Sequence, residues 1–444
     1  MATVTVPGGA PGATPITYTF STGAGLTVAQ QIANALGAAS VAGTLTQSAS
    51  TTAGSQSTPT PTVAGGASDL VLTVGGASTV TAGSTVPGAN YAAYNGPAGS
   101  TVTAGANVQL IAGTVGGTYF ATGAGAAVGA LGGNNTITAT ASGETIGGGN
   151  GSNLLTADSG GDYIASSGTD TVVIAASSGT DTVALYGSTG ASLAGGAASM
   201  VVWGGNNDTI SAGSGASTIF GAYSGNSDLY FLNASPALFV DNGGASTVVG
   251  GAGPSTIFGA SGSDLIFGGS GPMTYVTAAA GNPTIVGTTA QVTLFGGAGG
   301  NITFDNGPSS KGAVFSAALG NETLNASGAT APVIAWGGIG SNSNSDVLIG
   351  GAGADTLEAG TGSTTMTGGG GANLFGFIQG RAGGSITITD MNSSDTVALT
   401  GYGVSATNST IAAATGSSLT LSDGTTITFK NVLVSSIASD IKVG

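Results

Sequence analysis

Short apolar segments and polar turns alternate along most of this 444-residue chain. Between about residues 64 and 378, β-prone segments such as 69–72 and 136–138 are separated by clusters of Gly, Asn, Ser and Asp. The segments recur every roughly eight to eleven residues, which is too short for β-α-β units, and the long strands of a sandwich are absent. The pattern therefore predicts an all-β fold, an elongated parallel β-solenoid in which each coil is stable only against its neighbours.

A nine-residue unit is clearest from residue 341 to residue 376, which divide into SNSNSDVLI, GGAGADTLE, AGTGSTTMT and GGGGANLFG. The second unit, residues 350–358, fits G-G-x-G-x-D-x-U-x, with U a large apolar residue, at every fixed position. The unit recurs at 250–258, 259–267 and 268–276, and more loosely at 212–220 and 296–304. This pattern is typical of calcium-binding β-helix repeats, and we expect two units to form one coil.

Residues 1–63 differ from the repeats because they are rich in Ala, Thr and Pro and contain the one convincing helix. Residues 27–30 match a capping box, and we expect Gly37 to end the helix. Its apolar face consists of Leu26, Ala29, Ile32, Ala33 and Leu36. A helix of about ten residues is marginal alone, so we expect it to cap the first coil or to pack against a neighbouring molecule.

The last segment, residues 379–444, contains three more strand patterns at 385–390, 395–399 and 425–429. Asp423 and Gly424 indicate a hairpin turn before the third of them. The chain ends in alternating apolar residues. We therefore predict three regions: an N-terminal segment at 1–63, the solenoid at 64–378 and a C-terminal β cap at 379–444.

Nonapeptide units followed by Ile388, Thr389 and Asp390, with Asp395 five residues further on and an apolar C-terminus, resemble the RTX (repeats-in-toxin) proteins. The resemblance covers residues 341–444 well, 204–304 moderately and the first 200 weakly. It implies a β-roll-like solenoid, an uncleaved export signal within 379–444, the type I secretion machinery as a partner and an extracellular or cell-surface destination. The first residues, Met-Ala-Thr-Val, lack the charged start and apolar core of a cleavable signal peptide.

The amino-acid composition of the chain limits which molecules it could bind. The chain has 85 Gly, well above the usual share of ~7%, together with a positive mean hydropathy, which favours a tightly turning apolar chain over a solvated linker. Its net charge is -15, and its four basic residues, Lys311, Arg381, Lys430 and Lys442, all lie after residue 310. Such a surface offers nothing to replace the counterions of a nucleic acid, and no apolar run is long enough to span a membrane. The sequence therefore predicts neither partner.

The nonapeptide units make calcium the expected cofactor. Turn glycines let backbone carbonyls point at an ion and the sixth-position Asp adds charge, which selects Asp264, Asp346 and Asp355 with the carbonyls of Gly350 and Gly351 as ligands. The resemblance to RTX proteins implies an ion between stacked turns, with Asp at sixth positions two units, or 18 residues, apart. However, Thr364, Asn373 and Asn282 stand at those positions. The alternative is that Asn and Ser side chains close these turns without metal.

The chain contains few of the residue types that enzymes use in catalysis. With no His and no Cys, Ser-His-Asp triads, thiol proteases and HExxH zinc proteases are excluded. Solenoid polysaccharide lyases use a Lys or Arg base, which this chain lacks before Lys311. Paired-carboxylate glycosidase chemistry stays open, but most acids lie in turns, for example Asp162 and Asp208, where turn formation is their ordinary role. We therefore predict that the protein is not an enzyme.

Large side chains repeatedly precede the next glycine-led turn, and strand alternation predicts that they point outward. They are Trp203, Phe220, Phe258, Phe267, Phe295 and Trp336. Either they are buried between neighbouring molecules, or they fold over the adjacent turn within their own molecule. The first reading, together with the low charge density, predicts a secreted structural protein that self-assembles into an extracellular filament, surface layer or biofilm-matrix element. The alternative is an adhesin or a glycan- or ice-binding module, for which Thr101, Thr103, Thr136 and Thr138 would provide a flat face.

Overall fold

The computed structural model describes the chain except for residues 1, 9–11, 21–23, 51–68, 75–78, 83–89, 96–97, 114–115, 131, 224–226, 279–280, 288, 307–309 and 341–343. It forms two compact units. The first comprises Met1–Ala222 and Asn226–Tyr230, and the second comprises Tyr223–Gly225 and Phe231–Gly444. The predicted boundary at residue 63 lies outside the described residues, and the one at residue 378 stays a prediction.

The first unit contains one helix and short strands. In chain order these are β1 (Ala2–Val6), β2 (Ile16–Phe20), α1 (Ala24–Ala42), β3 (Thr46–Ser50), β4 (Asp69–Val74), β5 (Thr79–Ala82), β6 (Asn90–Asn95), β7 (Thr101–Ala104), β8 (Val108–Ala112), β9 (Thr118–Ala121), β10 (Ala127–Ala130), β11 (Thr136–Ala139), β12 (Thr145–Gly147), β13 (Leu154–Ala157), β14 (Tyr163–Ala165), β15 (Thr171–Ile174), β16 (Thr180–Ala184), β17 (Ser192–Ala194), β18 (Ser199–Trp203), β19 (Thr209–Ser211), β20 (Ser217–Phe220) and β21 (Asp228–Phe231), whose last residue belongs to the second unit.

The second unit continues with strands of the same length and one helix near its end. They are β22 (Ala237–Val240), β23 (Ser246–Val249), β24 (Ser255–Phe258), β25 (Leu265–Phe267), β26 (Met273–Val276), β27 (Thr284–Gly287), β28 (Val292–Phe295), β29 (Gly300–Asn306), β30 (Ala313–Ser316), β31 (Glu322–Asn325), β32 (Val333–Trp336), β33 (Ser345–Ile349), β34 (Thr356–Glu358), β35 (Ser363–Thr367), β36 (Leu374–Ile378), β37 (Ser385–Ile388), β38 (Thr396–Thr400), α2 (Val404–Ala413), β39 (Ser418–Thr420), β40 (Thr426–Phe429) and β41 (Ile441–Val443). Two 3₁₀ turns, Val434–Ser436 and Ala438–Asp440, precede β41.

Within each unit, successive strands alternate between two parallel sheets. The even sheet contains the even-numbered strands from β4 to β38, together with β3 and β41. The odd sheet contains the odd-numbered strands from β5 to β39, together with β40. In the even sheet, β10 pairs in parallel with β8 and β12, and in the odd sheet β11 pairs with β9 and β13. The predicted fold class is confirmed: the described chain is an all-β parallel β-solenoid of about 15 turns, with a helix near each end.

The inward positions of the strands build the core. In β11, Ile137 and Ala139 are buried, whereas Thr136 and Thr138 are partly exposed. The register stacks Ile137 on Leu155 of β13, and both side chains are completely buried. The inward apolar side chains of each strand, such as Ile137 and Ala139 of β11, therefore fill the interior, and outward positions are free to vary.

Paired glycines of the nonapeptide unit lie where one coil touches the next. A Cβ atom at Gly251 would lie 1.2 Å from the carbonyl oxygen of Asn233, and one at Gly351 would lie 2.1 Å from that of Ala329. No other residue tolerates such an approach between backbones. The second glycine of the unit is thus required by the stacking of coils.

Helix α1 differs from the prediction at both ends. It begins at Ala24, so the expected capping box lies inside it, and it continues through Gly37 to Ala42. Ile32 and Leu36 are buried against Val4 and Val6 of β1 and against Ala93 and Ile111, which lie on β6 and β8. This burial outweighs the cost of about 1 kcal/mol for glycine within a helix. The helix packs on the outer face of the even sheet, and the expectation that it caps the first coil or packs against a neighbouring molecule stays a prediction.

The C-terminal region contains the predicted hairpin and one helix that the sequence analysis missed. Strands β39 and β40 pair antiparallel on either side of Gly424, which has a φ of 87°. β40 adds in parallel to β37, and β41 adds in parallel to β38. Helix α2 buries only Thr407 and Ile411, a pattern too weak to predict from sequence.

Candidate functional site

Buried polar side chains at the starts of strands form ladders between coils. In the first unit, the backbone N–H of Asn135 donates to Oδ1 of Asn153 (3.0 Å), and that of Asn153 donates to Oδ1 of Asp170 (2.8 Å). In the second unit, the N–H of Val333 donates to Oδ1 of Asp355 (2.7 Å), and that of Asp355 donates to Oδ1 of Asn373 (3.0 Å). The sixth position of the nonapeptide unit therefore joins consecutive coils.

Asp355, one of the predicted calcium ligands, also closes its own turn. Its Oδ2 accepts the N–H of Gly351 at 2.7 Å, so both carboxylate oxygens are occupied by backbone donors. The carbonyl of Gly351 accepts the N–H of Gly370 (2.7 Å), while the N–H of Gly350 donates to the carbonyl of Thr367 (2.9 Å). Asp355 therefore closes its own turn through the N–H of Gly351, and its role as a calcium ligand stays a prediction.

Asp346 lies beside a second acid that the sequence analysis did not select. The N–H of Glu322 donates to Oδ1 of Asp346 (3.2 Å), and the N–H of Gly338 donates to Oδ2 (2.8 Å). The Glu322 side chain is 2% exposed, and neither of its carboxylate oxygens has a well-formed hydrogen bond. Burial, followed by the interaction of its side chain with the Asp346 carboxylate and then by the charge on Asp346, raises the pKa of Glu322 to about 7.

Asp264 lies in a similar pair with Asp241. Its Oδ1 accepts the N–H of Ser246 (3.3 Å) and its Oδ2 accepts the hydroxyl of Tyr275 (3.3 Å). Oδ2 of the buried Asp241 has no well-formed hydrogen bond. Burial, followed by the charge on Asp241, raises the pKa of Asp264 to about 7. Two buried acids thus share a small volume.

These two acid pairs fit calcium better than Asp355 does. Calcium binds six to eight oxygens, carboxylates and turn carbonyls among them, and would offset the repulsion within each pair. Among the residues that the structure describes, no three acidic side chains converge on one point, so backbone carbonyls would supply the remaining ligands. We missed Glu322 because it lies 24 residues before Asp346, whereas the sequence analysis required a spacing of 18.

A further column of acids lies in the even sheet of the first unit. The N–H of Glu144 donates to Oδ1 of Asp162 (2.8 Å), and that of Asp162 donates to Oδ1 of Asp181 (2.9 Å). One carboxylate oxygen of each residue has no well-formed hydrogen bond. Burial is the main cause that raises the pKa of Asp162 to about 6. The signal in the sequence was a Gly or Thr followed by an acid, directly before a strand at Glu144 and Asp162 and at the second residue of the strand at Asp181.

The predicted outward aromatic residues occupy one register line in the even sheet of the second unit. Val240, Phe258, Val276, Phe295, Ser316 and Trp336 pair in that order across successive strands. Phe258 and Phe295 are 42% and 43% exposed, and Trp336 is half-buried. We call this line the aromatic strip. Its rings point outward, as predicted.

The remaining predicted aromatic residues lie elsewhere. Trp203 and Phe220 are neighbours in the even sheet of the first unit and stack at 5.8 Å with an interplanar angle of 13°. Tyr186 lies 6.0 Å from Trp203. Phe267 belongs to the odd sheet of the second unit, where it pairs with Val249 and Val286. Because strands alternate between two sheets, Phe267 faces a different side from the other five, and the six residues do not all lie in one row.

Threonines line the outer face of the odd sheet in the first unit. The register aligns Thr101, Thr118 and Thr136 on β7, β9 and β11. Two residues further along the same strands, it aligns Thr103, Phe120 and Thr138, followed by Thr156 on β13. We call Thr101, Thr103, Thr118, Thr136, Thr138 and Thr156 the threonine grid. All six side chains are partly exposed.

Comparison with known families identifies the repeat. The model of the RTX calcium-binding nonapeptide repeat matches four copies, at residues 204–223, 241–272 and 337–375. The matched segments contain Asp241, Asp264, Asp346 and Asp355. The chain carries RTX calcium-binding repeats, and its parallel β-solenoid fits the RTX β-roll proteins, which confirms the resemblance and supports calcium as the cofactor.

No curated protein and no solved structure matched the chain in the searches. RTX repeats occur in secreted proteins, and the solenoids that carry them are generally structural or toxin-type rather than enzymatic. Among the described residues, neither helix combines the length and apolar character needed to cross a membrane.

Proposed function

We propose that this protein is a secreted structural protein that self-assembles through the aromatic strip into an extracellular filament, surface layer or biofilm-matrix element. The strip spans six strands, or about 24 Å at the usual spacing of ~4.8 Å between strands. Soluble monomers rarely expose contiguous apolar rows of this kind. The exposure of Phe258 and Phe295 in one register line is the observation that carries the proposal.

The surroundings of the strip also favour association. The same strands carry a second line of outward residues beside the strip, and none of them is charged. They are Leu238, Thr256, Thr274, Thr293, Val314 and Ile334. The first charge next to the strip is Glu358, which pairs with Trp336. Burial of this face between two molecules would therefore desolvate no charged group over six strands.

Export and calcium fit the same role. We propose that the C-terminal region directs type I secretion and that calcium outside the cell completes folding at the acid pairs Glu322–Asp346 and Asp241–Asp264. We propose no catalytic role, because the sequence contains no His or Cys and the buried acids bond to backbone N–H groups.

Sedimentation velocity and electron microscopy of the purified protein, with calcium and with a chelator, test this proposal. The wild type should form larger species as its concentration rises, whereas Phe258→Thr/Phe295→Thr should stay monomeric. Phe267→Thr is the matched control, since this ring is 36% exposed but lies on the other sheet. Dispersed wild-type monomers at high concentration in both conditions would contradict the proposal, as would an equal effect of the control.

The threonine grid favours a second candidate, binding of a glycan or ice by the monomer. Thr101, Thr118 and Thr136 repeat every ~4.8 Å between strands, and the pairs Thr101/Thr103 and Thr136/Thr138 lie ~6.7 Å apart along β7 and β11. Such a regular array suits a ligand that is itself periodic. Thr is also simply a good residue for an exposed strand, which is why this candidate comes second.

Glycan arrays and ice-recrystallisation assays test the second candidate. Binding by the monomeric Phe258→Thr/Phe295→Thr variant should be lost in Thr118→Lys/Thr136→Lys. The same change at Thr365, on the odd sheet of the second unit, is the control. Absence of binding in both assays would remove the support for this candidate.

A further inference from the structure

Three buried acids occupy the same register position on successive strands of the even sheet in the first unit. Each directly precedes one of three residues that the register aligns, Thr145 on β12, Tyr163 on β14 and Thr182 on β16. The acids are Glu144, Asp162 and Asp181, and we call them the acid column. At the same register position, β10 is preceded by the buried Ala126 and β18 contains the buried Met200. The column is therefore confined to three coils.

One carboxylate oxygen of each acid in the column lacks a well-formed hydrogen bond and is screened from solvent. These oxygens are Oε1 of Glu144, Oδ2 of Asp162 and Oδ2 of Asp181. The other oxygens accept backbone N–H groups, from Ala141 to Glu144 (3.0 Å), from Glu144 to Asp162 (2.8 Å) and from Asp162 to Asp181 (2.9 Å). A carboxylate oxygen removed from water without a partner is costly, and successive coils are only ~4.8 Å apart. A positive ligand in the column would offset this cost.

Acids in the odd sheet of the same unit show that burial alone does not leave oxygens unpaired. Asp170 accepts the N–H of Asn153 at Oδ1 (2.8 Å) and the hydroxyl of Ser166 at Oδ2 (2.8 Å). Oδ2 of Asp208 likewise accepts the hydroxyl of Ser188 (2.7 Å). A serine thus completes each of these two acids. No donor forms a comparable bond to the three oxygens of the acid column within the described chain.

The first unit contains no basic side chain that could neutralise the column. All four basic residues lie after residue 310, and the chain has no His. The countercharge must therefore be a proton or an ion from solution. Carboxylates and turn carbonyls are the ligands that calcium prefers, and calcium accepts less regular geometry than magnesium does. No three acidic side chains of the described residues converge on one point, so an ion in the column would lie between two coils.

We propose that the acid column binds calcium between its coils, with Asp162 as the ligand shared by the gaps on either side. Glu144 contributes its unpaired oxygen to one gap and Asp181 contributes its own to the other. The column lies outside the segments that match the calcium-binding repeat, residues 204–223, 241–272 and 337–375. The inference is independent of self-assembly, and it extends calcium binding to coils that the repeat does not mark.

Hydrogen–deuterium exchange of the full chain, in calcium and in a chelator at equal ionic strength, locates the effect of the ion. At about 100 times its dissociation constant, a ligand lowers the population of the open site about 100-fold. Amides of residues 141–184 in the wild type should therefore exchange up to about 100-fold more slowly in calcium. Unchanged exchange in these residues would overturn the inference and would mean that the acids hold protons instead.

Asp162→Asn removes the shared ligand but keeps an oxygen that can accept the N–H of Glu144. The variant should lose the slower exchange in residues 141–184 and should bind at least one calcium ion fewer in equilibrium dialysis. Asp170→Asn is the matched control, because this buried residue lies in the same unit and its amide can bond to both Asn153 and Ser166. An equal loss in the control would attribute the effect to the general stability of the coils and would overturn the inference.

Glu322→Gln separates the acid column from the acid pairs of the second unit. This variant should weaken the calcium effect around residues 322–346 and leave the effect on residues 141–184 unchanged. Loss of the effect on residues 141–184 would mean that calcium acts there indirectly, and the inference would be wrong. A calcium effect confined to residues 141–184 of the wild type would support the column and contradict the proposed role of the acid pairs.

Discussion

The two compact units have the same kind of interior but different outer faces. In both, one apolar side chain per strand is completely buried, such as Ile146 in the first unit and Phe315 in the second. On the outer face of the even sheet, the first unit has Gly147 and Ala165 beside helix α1, whereas the second has exposed Phe258 and Phe295.

This difference separates the positions that maintain the fold from those available for function. Inward positions are constrained because protein interiors are closely packed, and any change in volume is felt there. Outward positions carry no such constraint. The aromatic rings on one unit, and Gly129 and Gly147 on the other, are therefore not accounted for by packing of the interior. The following predictions test this separation, from the largest expected effect to the smallest.

Phe315 and Phe295 provide the strongest contrast, since they are aromatic rings on adjacent strands facing opposite sides. Phe315→Ala should lower the free energy of unfolding by about 3–5 kcal/mol, because it leaves a cavity in the core. Phe295→Thr should change it by less than about 1 kcal/mol. Denaturant midpoints measure both, and similar losses would show that the outward ring is part of the core.

Asp355→Ala should destabilise the protein by about 2–5 kcal/mol, because two buried N–H groups, those of Val333 and Gly351, lose their acceptor. Asp355→Asn should recover only part of this loss, because its one carbonyl oxygen can accept one of the two N–H groups while its NH₂ group faces the other. Chemical denaturation of both variants checks the prediction. Equal losses would indicate that charge, rather than hydrogen bonding, matters at this position.

Calcium should stabilise the second unit through its acid pairs. At about 100 times its dissociation constant, a ligand adds about 2.7 kcal/mol to the free energy of unfolding. Glu322→Gln should melt at a higher temperature than the wild type in chelator at pH 7 and gain less from calcium, because the buried repulsion with Asp346 is gone. Glu358→Gln is the control, as its side chain points outward. A full calcium response in Glu322→Gln would place the ion elsewhere.

Without calcium, stability should fall as the pH rises. A carboxyl group whose pKa is raised on folding binds its proton more tightly in the folded chain, so this contribution is complete below about pH 4 and is lost as the pH passes the folded-state value. For Asp162 of the first unit that value is about 6, and for Glu322 of the second unit it is about 7. Melting temperatures between pH 4 and 8 in chelator check this, and a maximum near pH 7 would contradict it.

The local pattern was sufficient to predict the repeat. Glycine pairs mark backbone contacts between coils, as Gly251 demonstrates, and one buried apolar residue per strand follows from alternation. These features depend on residues close in sequence. The predicted outward orientation of Phe258 and Phe295 is confirmed for the same reason.

Contacts between coils could not be predicted equally well. The ladder of buried acceptors joins residues 17 apart at Asn153 and Asp170, 18 apart at Asp355 and Asn373, and 24 apart at Glu322 and Asp346. Each spacing is the number of strand and loop residues in one coil. A fixed period of 18 therefore predicts only one of these three hydrogen bonds. The extent of α1 was missed for a related reason, because Ile111 lies far from the helix in sequence.

The sequence by itself determined the type of fold, the positions of turns and strands, and the presence of calcium-binding repeats, since each depends on neighbouring residues and on the steric freedom of glycine. Only the tertiary structure decided which acids share a volume and which aromatic rings form a strip. These depend on the register between coils, which is set by loops of unequal length and by the distant segments that pack across them.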